Sequence, residues 1–315
     1  MKILVTGGAG FIGSNFIHYW FGKHPKDEIV NLDIMTYAAD PRNLQGLEKY
    51  SYSLVKEDIA DKSAAESAVR DVDAVVNFAA ESHVDNSIKD SSRFIHSNII
   101  GVHSLLEAVR KYEKRFHQIS TDEVYGSLPL NSEMRFTEES RYNPMNPYAA
   151  TKASADHLVR SYVNTYGINA TISNCGNNYG PRQHVEKLIP KTISNAMADK
   201  KVPIYGDGRQ VRDWIYVDDH CSAIEAILGK GISGATYLVG AGGEMPNMEI
   251  VRLILGELGK PETLVEYVED RKGHDARYAL DTSKIREELE WKSRHGILEG
   301  IRSTIEWYRR LQYGQ

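Results

Sequence analysis

Residues 6–13, Thr6-Gly7-Gly8-Ala9-Gly10-Phe11-Ile12-Gly13, follow the apolar run KILV and open a stretch of helical character, FIGSNFIHYWFGK. Between a strand and a helix, each glycine at this spacing has its own task. Gly7 allows the tight turn, Gly10 lets a pyrophosphate approach the backbone, and Gly13 permits close helix packing, while the helix N-terminus offers N–H donors. Asp33 closes the next apolar run twenty residues after Gly13. A carboxylate there accepts both hydroxyls of a ribose and repels an additional 2′-phosphate, so the pattern predicts NAD rather than NADP. Asp58, after the third apolar run, is placed to reach an adenine amino group, although an acid ending a strand also serves as a turn residue.

The rhythm continues beyond the turn. Short runs rich in β-branched residues (EIVNLDI, YSLVKED, AVVNFAA, FHQIST, INATISNC) alternate with amphipathic stretches, which predicts βαβ units and an α/β fold: a Rossmann-type, doubly wound parallel sheet. After Cys175 the Gly/Pro/Asn-rich segment GNNYGPRQHVEKLIP breaks this alternation. Residues 1–174 are therefore expected to form the cofactor domain with the catalytic residues. Residues 175–315 are expected to form a smaller α/β substrate-binding lobe, with some segments returning to the first domain. The stretch from Ser91 to Tyr112 is apolar around most of its circumference, which predicts a helix burying two faces: one on the sheet, the other on a symmetry mate in a homodimer or under the chain's own C-terminal lobe.

Composition narrows the partners. A net charge of -5 with no Lys/Arg block lacks the footprint that nucleic acid or an anionic membrane requires. Two cysteines without zinc-type spacing and no apolar run of membrane length point to a soluble cytoplasmic protein without a metal.

Tyr148 and Lys152 stand four apart in a helical stretch and share one face. An ammonium and a bound nicotinamide cation favour an ionised phenol, making Tyr148 a base for a sugar hydroxyl, with Thr121 sharing that proton. Asp122 and Glu123 follow Thr121 directly. Successive strand residues point to opposite faces, so both acids reach one pocket only if the strand has already ended. Two carboxyls in one pocket cannot both ionise freely, and this leaves one acid and one base, as removal of water demands. The competing reading is a polar turn in which one acid caps a backbone N–H.

GGAGFIG, FAAESHVD, STDEVYG, NPYAATKASAD, NNYGPRQHVEKLIP, YGDGRQVRDWIYVDDHC and DRKGHDARYALD together resemble the nucleotide-sugar 4,6-dehydratases of the extended short-chain dehydrogenase/reductase superfamily, over essentially the whole chain. The related 4-epimerases keep Tyr-x-x-x-Lys but lack the acid pair. The resemblance implies a nucleotide-diphosphate hexose as substrate and a retained NAD. It assigns C4 oxidation to Tyr148, Thr121 and Lys152, C5 deprotonation to Glu123, and protonation of the departing C6 hydroxyl to Asp122. It adds Phe11, Ile12, Ile59 and Ala79 to the cofactor site. To the substrate site it assigns Ser82, His83, Asn178, Lys187, Leu188, Pro203, Tyr205, Arg212, Arg271 and His274.

Three places depart from the family pattern: Asn174 and Gly176 in NCGNNYGP where Arg and Ser are usual, Asn86 where HVDRS has Arg, and Gly242 to Pro246 in place of Gly-x-Asn-Glu. These are expected near the substrate end of the site, where they bear on the nucleobase and the sugar. A UDP-hexose or UDP-N-acetylhexosamine dehydratase, a 4-epimerase, and a non-catalytic NAD-binding regulator remain the alternatives.

Overall fold

In the chain's central sheet, seven strands run parallel in the order β10-β6-β5-β4-β1-β2-β3. The computed structural model describes residues 1–313; Gly314 and Gln315, the last two residues of the expected second lobe, lie outside the described residues. The strands are β1 (Lys2–Thr6), β2 (Glu28–Leu32), β3 (Ser51–Val55), β4 (Ala74–Asn77), β5 (Arg115–Thr121), β6 (Ala170–Cys175), β7 (Asn177–Tyr179), β8 (Val202–Tyr205), β9 (Val211–Tyr216), β10 (Thr236–Val239), β11 (Glu244–Pro246) and β12 (Val265–Val268). β4 and β6 are buried along their whole length, as strands covered on both faces must be.

Alternation along β1 divides the core. Ile3 and Val5 face one side, against Phe16 and Ile17 of α1 (Phe11–Lys23) and Val217 and Ile224 of a helix contributed by the second half. Leu4 faces the other, against α2 (Lys62–Arg70) and the two helices introduced below. The strand order reverses between β1 and β4, so a crevice opens at their carboxyl ends, where open α/β sheets bind ligands.

The stretch expected to be one helix from Ser91 to Tyr112 is interrupted. After α3 (Val84–Lys89) come α4 (Ser92–Ile95), a π-helical segment His96–Gly101, and then α5 (Val102–Tyr112). A Cβ on Gly101 would lie 2.5 Å from the Ile59 side chain, so the wider turn sits where backbone and side chain approach too closely for a larger residue. One apolar face is buried through Phe94, Leu105, Leu106 and Val109; Ile95 and Ile100 remain 45% and 46% exposed, so the C-terminal half does not cover them.

α6 (Pro147–Tyr166) starts with proline at its first position and Asn146 as cap, and ends at Gly167 with φ +67°. Beyond β6, a three-stranded sheet (β11-β9-β7) and a pair (β12-β8) pack with α7 (Leu188–Met197). The chain then returns: α8 (Val217–Lys230) packs on α1, and β10 pairs with β6 at the margin of the main sheet.

Candidate active site

One cavity follows the crevice from the glycine turn to the segment before α7, lined among others by Gly7, Gly10, Phe11, Ile12, Gly13, Asp33, Asp58, Ile59 and Ala79. All nine sequence-predicted positions of the cofactor turn and its surroundings thus meet in one space. Gly7 has φ +68°, and a Cβ there would lie 2.7 Å from the Ala79 backbone; a Cβ on Gly13 would lie 2.5 Å from the Gly7 carbonyl. These two glycines serve the fold. Gly10 differs: its Cβ would meet only the Gly7 carbonyl, at 3.3 Å, and as the cap of α1 it offers no side chain to the helix N–H groups. Those donors are left for a ligand.

Asp33 accepts from the N–H of Ala9 at 2.9 Å and of Met35 at 2.8 Å, which ties it to the turn while its carboxylate lines the cavity. Burial pushes its pKa up and the two N–H bonds oppose that. Asp58 bonds His96 at 2.8 Å and the N–H of Ala60 at 2.8 Å, so turn residue and cavity wall are the same side chain. Open helix N–H groups, an uncluttered Gly10 and a carboxylate beyond the second strand fit a dinucleotide. No group of His, Cys, Asp and Glu among the described residues could hold a metal ion.

The acid pair sits where the strand stops. Thr121 caps a single 3₁₀ turn, Asp122–Tyr125: its hydroxyl accepts from the Glu123 N–H at 3.3 Å and donates to Asp122 Oδ1 at 3.2 Å. With the extended alternation broken, both acids line the same cavity. Asp122 is 2% exposed, and its Oδ2 is buried without a partner. Burial first, and then the nearby Glu123, push its pKa well above the usual carboxylate range, against the pull of Arg212. Asp122 is a proton holder with a free oxygen.

Tyr148 and Lys152 occupy consecutive turns of α6 and also line this cavity. Their electrostatics differ from the expectation. The Lys152 ammonium, 4% exposed, donates to the Ile119 carbonyl at 2.6 Å, and burial lowers its pKa. Tyr148 is pushed well above the ordinary phenol value by burial and then by Glu123, Cys175 and Asp122. In the chain by itself, burial and these neighbours hold the proton on the phenol.

The residues assigned to the substrate divide into two groups. Ser82, Asn178 and Lys187 line the cavity, with the Lys187 ammonium 3.1 Å from the Ser82 carbonyl. The Asn178 amide is turned inward, donating to Cys175 and the Gly176 carbonyl and accepting from His220 at 2.9 Å. The others lie outside the cavity lining. His83 faces Glu186 at 3.6 Å, Leu188 is the first residue of α7, and Pro203 lies on β8. Tyr205, Arg271 and His274 form a cluster: the guanidinium lies 5.6 Å over the Tyr205 ring and 3.2 Å from His274, and its Nε is buried without a partner. Arg212 donates to the main-chain carbonyls of Val211 and Asp275, each at 2.8 Å.

The departures from the family pattern do not gather at the cavity. Asn174 is fully buried in the core, bonding Asp156 at 3.1 Å and the Thr121 carbonyl at 3.2 Å. Asn86 reaches Tyr37 at 3.4 Å, and Glu244 pairs with Arg277 at 2.6 Å. Only Gly176 lines the cavity. β6 turns the Asn174 side chain away from the cavity and into the protein.

Sequence reading missed Glu81, Ser97, Cys175, His184 and Glu186, which line the cavity, and Asn146, whose amide reaches Glu123 at 3.3 Å. Asn146 carried a legible signal, an Asn-Pro at a helix start; the others are brought in by tertiary packing alone.

Sheet order, glycine turn and the Tyr148/Lys152 helix define a Rossmann-like α/β protein of the short-chain dehydrogenase type. A family profile described as GDP-mannose 4,6 dehydratase matches residues 4–304. The dTDP-glucose 4,6-dehydratase of Mycobacterium tuberculosis is 50% identical over 310 residues, covering 98% of this chain and 93% of that protein. The Escherichia coli protein of the same description is 45% identical over 339 residues, covering 98% and 93%. The solved dTDP-glucose 4,6-dehydratase of Streptomyces venezuelae, with NAD bound, superposes with a TM-score of 0.96 at 42% identity, covering 100% of this chain and 98% of that one. The chain belongs to the dTDP-glucose 4,6-dehydratase family, whose members are NAD-dependent hydro-lyases.

Proposed function

We propose that this protein converts dTDP-glucose to dTDP-4-keto-6-deoxyglucose, with Thr121, Asp122, Glu123, Tyr148 and Lys152 carrying the chemistry. The observation behind this reading is the Asp122/Glu123 pair: a sealed carboxyl that keeps its proton, next to a second acid lining the same cavity. NAD along the glycine turn supplies an acceptor for the C4 hydride and returns it to C6. The positive charge of the bound nicotinamide, together with Lys152, would bring the Tyr148 phenol to its ionised form, which takes the C4 hydroxyl proton while Thr121 orients that hydroxyl. The resulting ketone acidifies C5, and Glu123 removes the C5 proton. As the C6–O bond breaks, Asp122 gives its proton to the departing hydroxyl and water leaves. Glu123 returns a proton to C5, and the proton held by Tyr148 replaces the one Asp122 spent.

Residues 1–174 would hold the cofactor, and residues 175–315 mainly the nucleotide sugar, with β10 and α8 returning to the first part. Asn178, Lys187, Leu188, Pro203, Tyr205, Arg212, Arg271 and His274, with Ser82 and His83, would meet the nucleotide diphosphate. Arg271 suits phosphate oxygens because part of its donor fork is unpaired. Exposed Ile88, Ile95 and Ile100 (41%, 45% and 46%) support a homodimer built on the α3–α5 face. No described helix is long and apolar enough to cross a membrane, and both cysteines are free and buried, which suits a cytoplasmic enzyme.

The test is incubation with dTDP-glucose, UDP-glucose and UDP-N-acetylglucosamine, followed by mass spectrometry. Loss of one water from dTDP-glucose is expected. A preference for a UDP sugar would move the nucleobase assignment, and an epimerised sugar of unchanged mass would overturn the dehydratase reading.

A further inference from the structure

Asn146 joins the two halves of the chemistry. Its Oδ1 accepts from the Ala149 N–H at 2.9 Å and so caps α6, the helix of Tyr148 and Lys152. Its Nδ2 donates to Glu123 Oε2 at 3.3 Å. The cap fixes which end of the amide is oxygen, so the NH₂ end must face the acid. Among the described residues this is the only hydrogen bond to the Glu123 carboxylate from another side chain. Asn146 is 7% exposed, and the segment before it is seated on the acid-pair turn: the Asn143 N–H donates to the Val124 carbonyl at 2.9 Å. At Gly126, φ +83°, a Cβ would lie 2.4 Å from the Asn143 carbonyl. The turn and the helix entrance are packed as one piece.

We propose that Asn146 is a positioning residue for the C5 proton transfer: by tying Glu123 to the N-terminus of the Tyr148 helix, it sets the base against the phenol that takes the C4 hydroxyl proton. The proposal rests on the reaction read above. A glutamate on a single turn has several rotamers, and one bond from a buried amide selects among them, which matters because a small misplacement of a reacting group costs much of its rate. The ionisable groups facing Glu123 are Asp122 on its own turn, Tyr148 on α6, Lys187 before α7, and Asp275 and Tyr278 from the C-terminal half. Changes at 146 leave all of them in place.

Three substitutions separate the two ends of the amide. Asn146→Ser keeps a capping hydroxyl that is too short for Glu123. Asn146→Asp keeps the cap but puts a carboxylate oxygen where the NH₂ was. Asn146→Ala removes both. Thermal melting of the Ser and Asp variants is expected to stay near wild type, and that of Ala to fall. With dTDP-glucose, Ser is expected to lower kcat about tenfold at unchanged KM, a small misplacement of the base. The isotope effect from substrate deuterated at C5 should rise with it. Asp is expected to move the acid limb of the kcat–pH profile upward by about one unit, through like-charge repulsion. A Ser variant with wild-type kcat and isotope effect, or an Asp variant with an unmoved acid limb, overturns the proposal. A wild-type protein that releases no water from any nucleotide hexose removes the reaction itself, an outcome distinct from a working enzyme with indifferent variants.

Discussion

Asp156 lies one helical turn past Lys152 and accepts the Ser120 hydroxyl at 2.7 Å, fastening α6 to the strand end that carries Thr121. The same oxygen accepts from Tyr142 at 2.9 Å and from Asn174 at 3.1 Å. Asp156→Ala strands these three donors in the buried interior, so it should cost about 3–5 kcal/mol. Asp156→Asn, which keeps an acceptor, should cost about 1–3 kcal/mol. Urea unfolding curves measure both, and equal costs would contradict the role of Asp156 as a shared acceptor.

Asp122→Asn should retain oxidation at C4, read from nicotinamide absorbance in a single turnover, yet form the 6-deoxy product about 10²–10⁴-fold more slowly, the usual share of a general acid. Full-rate turnover by this variant would remove Asp122 from the elimination.

Gly10 and Gly13 should respond differently to alanine. At Gly13 the added methyl would lie 2.5 Å from the Gly7 carbonyl, so the fold should lose stability. At Gly10 the closest atom would be at 3.3 Å. Melting temperature should therefore hold while affinity for NAD drops about tenfold or more, because the methyl takes the space of the pyrophosphate. Calorimetric titration with NAD alongside melting curves tests the pair.

Burial pushes the Asp213 carboxyl up from 3.8 to about 6. The folded chain then holds this proton more tightly than the unfolded chain. The group's contribution is fully present below about pH 4 and is lost as pH rises to about 6, by about 3 kcal/mol. The stability of wild type relative to Asp213→Asn should accordingly fall across that window and stay level above it. A difference that is constant with pH would mean that Asp213 does not titrate there.

On the α3–α5 face, Ile95→Glu together with Ile100→Glu should convert a dimer to a monomer in analytical ultracentrifugation, since a buried unpaired charge opposes association. A wild-type protein that sediments as a monomer would dismiss the homodimer.

Local spacing made much of this site readable. The glycine turn, Asp33, Tyr148/Lys152 and the acid pair each sit within one turn or one strand end, where periodicity fixes which side chains share a face. Tertiary contacts decided the rest. Lys152 lines the cavity with Tyr148, and the bond of its ammonium to the Ile119 carbonyl on β5 could not be read from helix spacing. Asn174 looked like a substrate residue because of the company it keeps in sequence, whereas strand parity sends it to Asp156. The π-segment before α5 answers to Ile59, some forty residues upstream, and nothing within the helix itself announces it.

β10 completes the main sheet from residues that follow the whole of β7, β8 and β9. A chain emerging from the ribosome consequently exposes the outer edge of β6, in the interior of the future protein, until Val239 has been made. Nascent intermediates of that length carry an open strand able to pair with other chains, so C-terminal truncation before that point should yield aggregates rather than a free-standing cofactor domain.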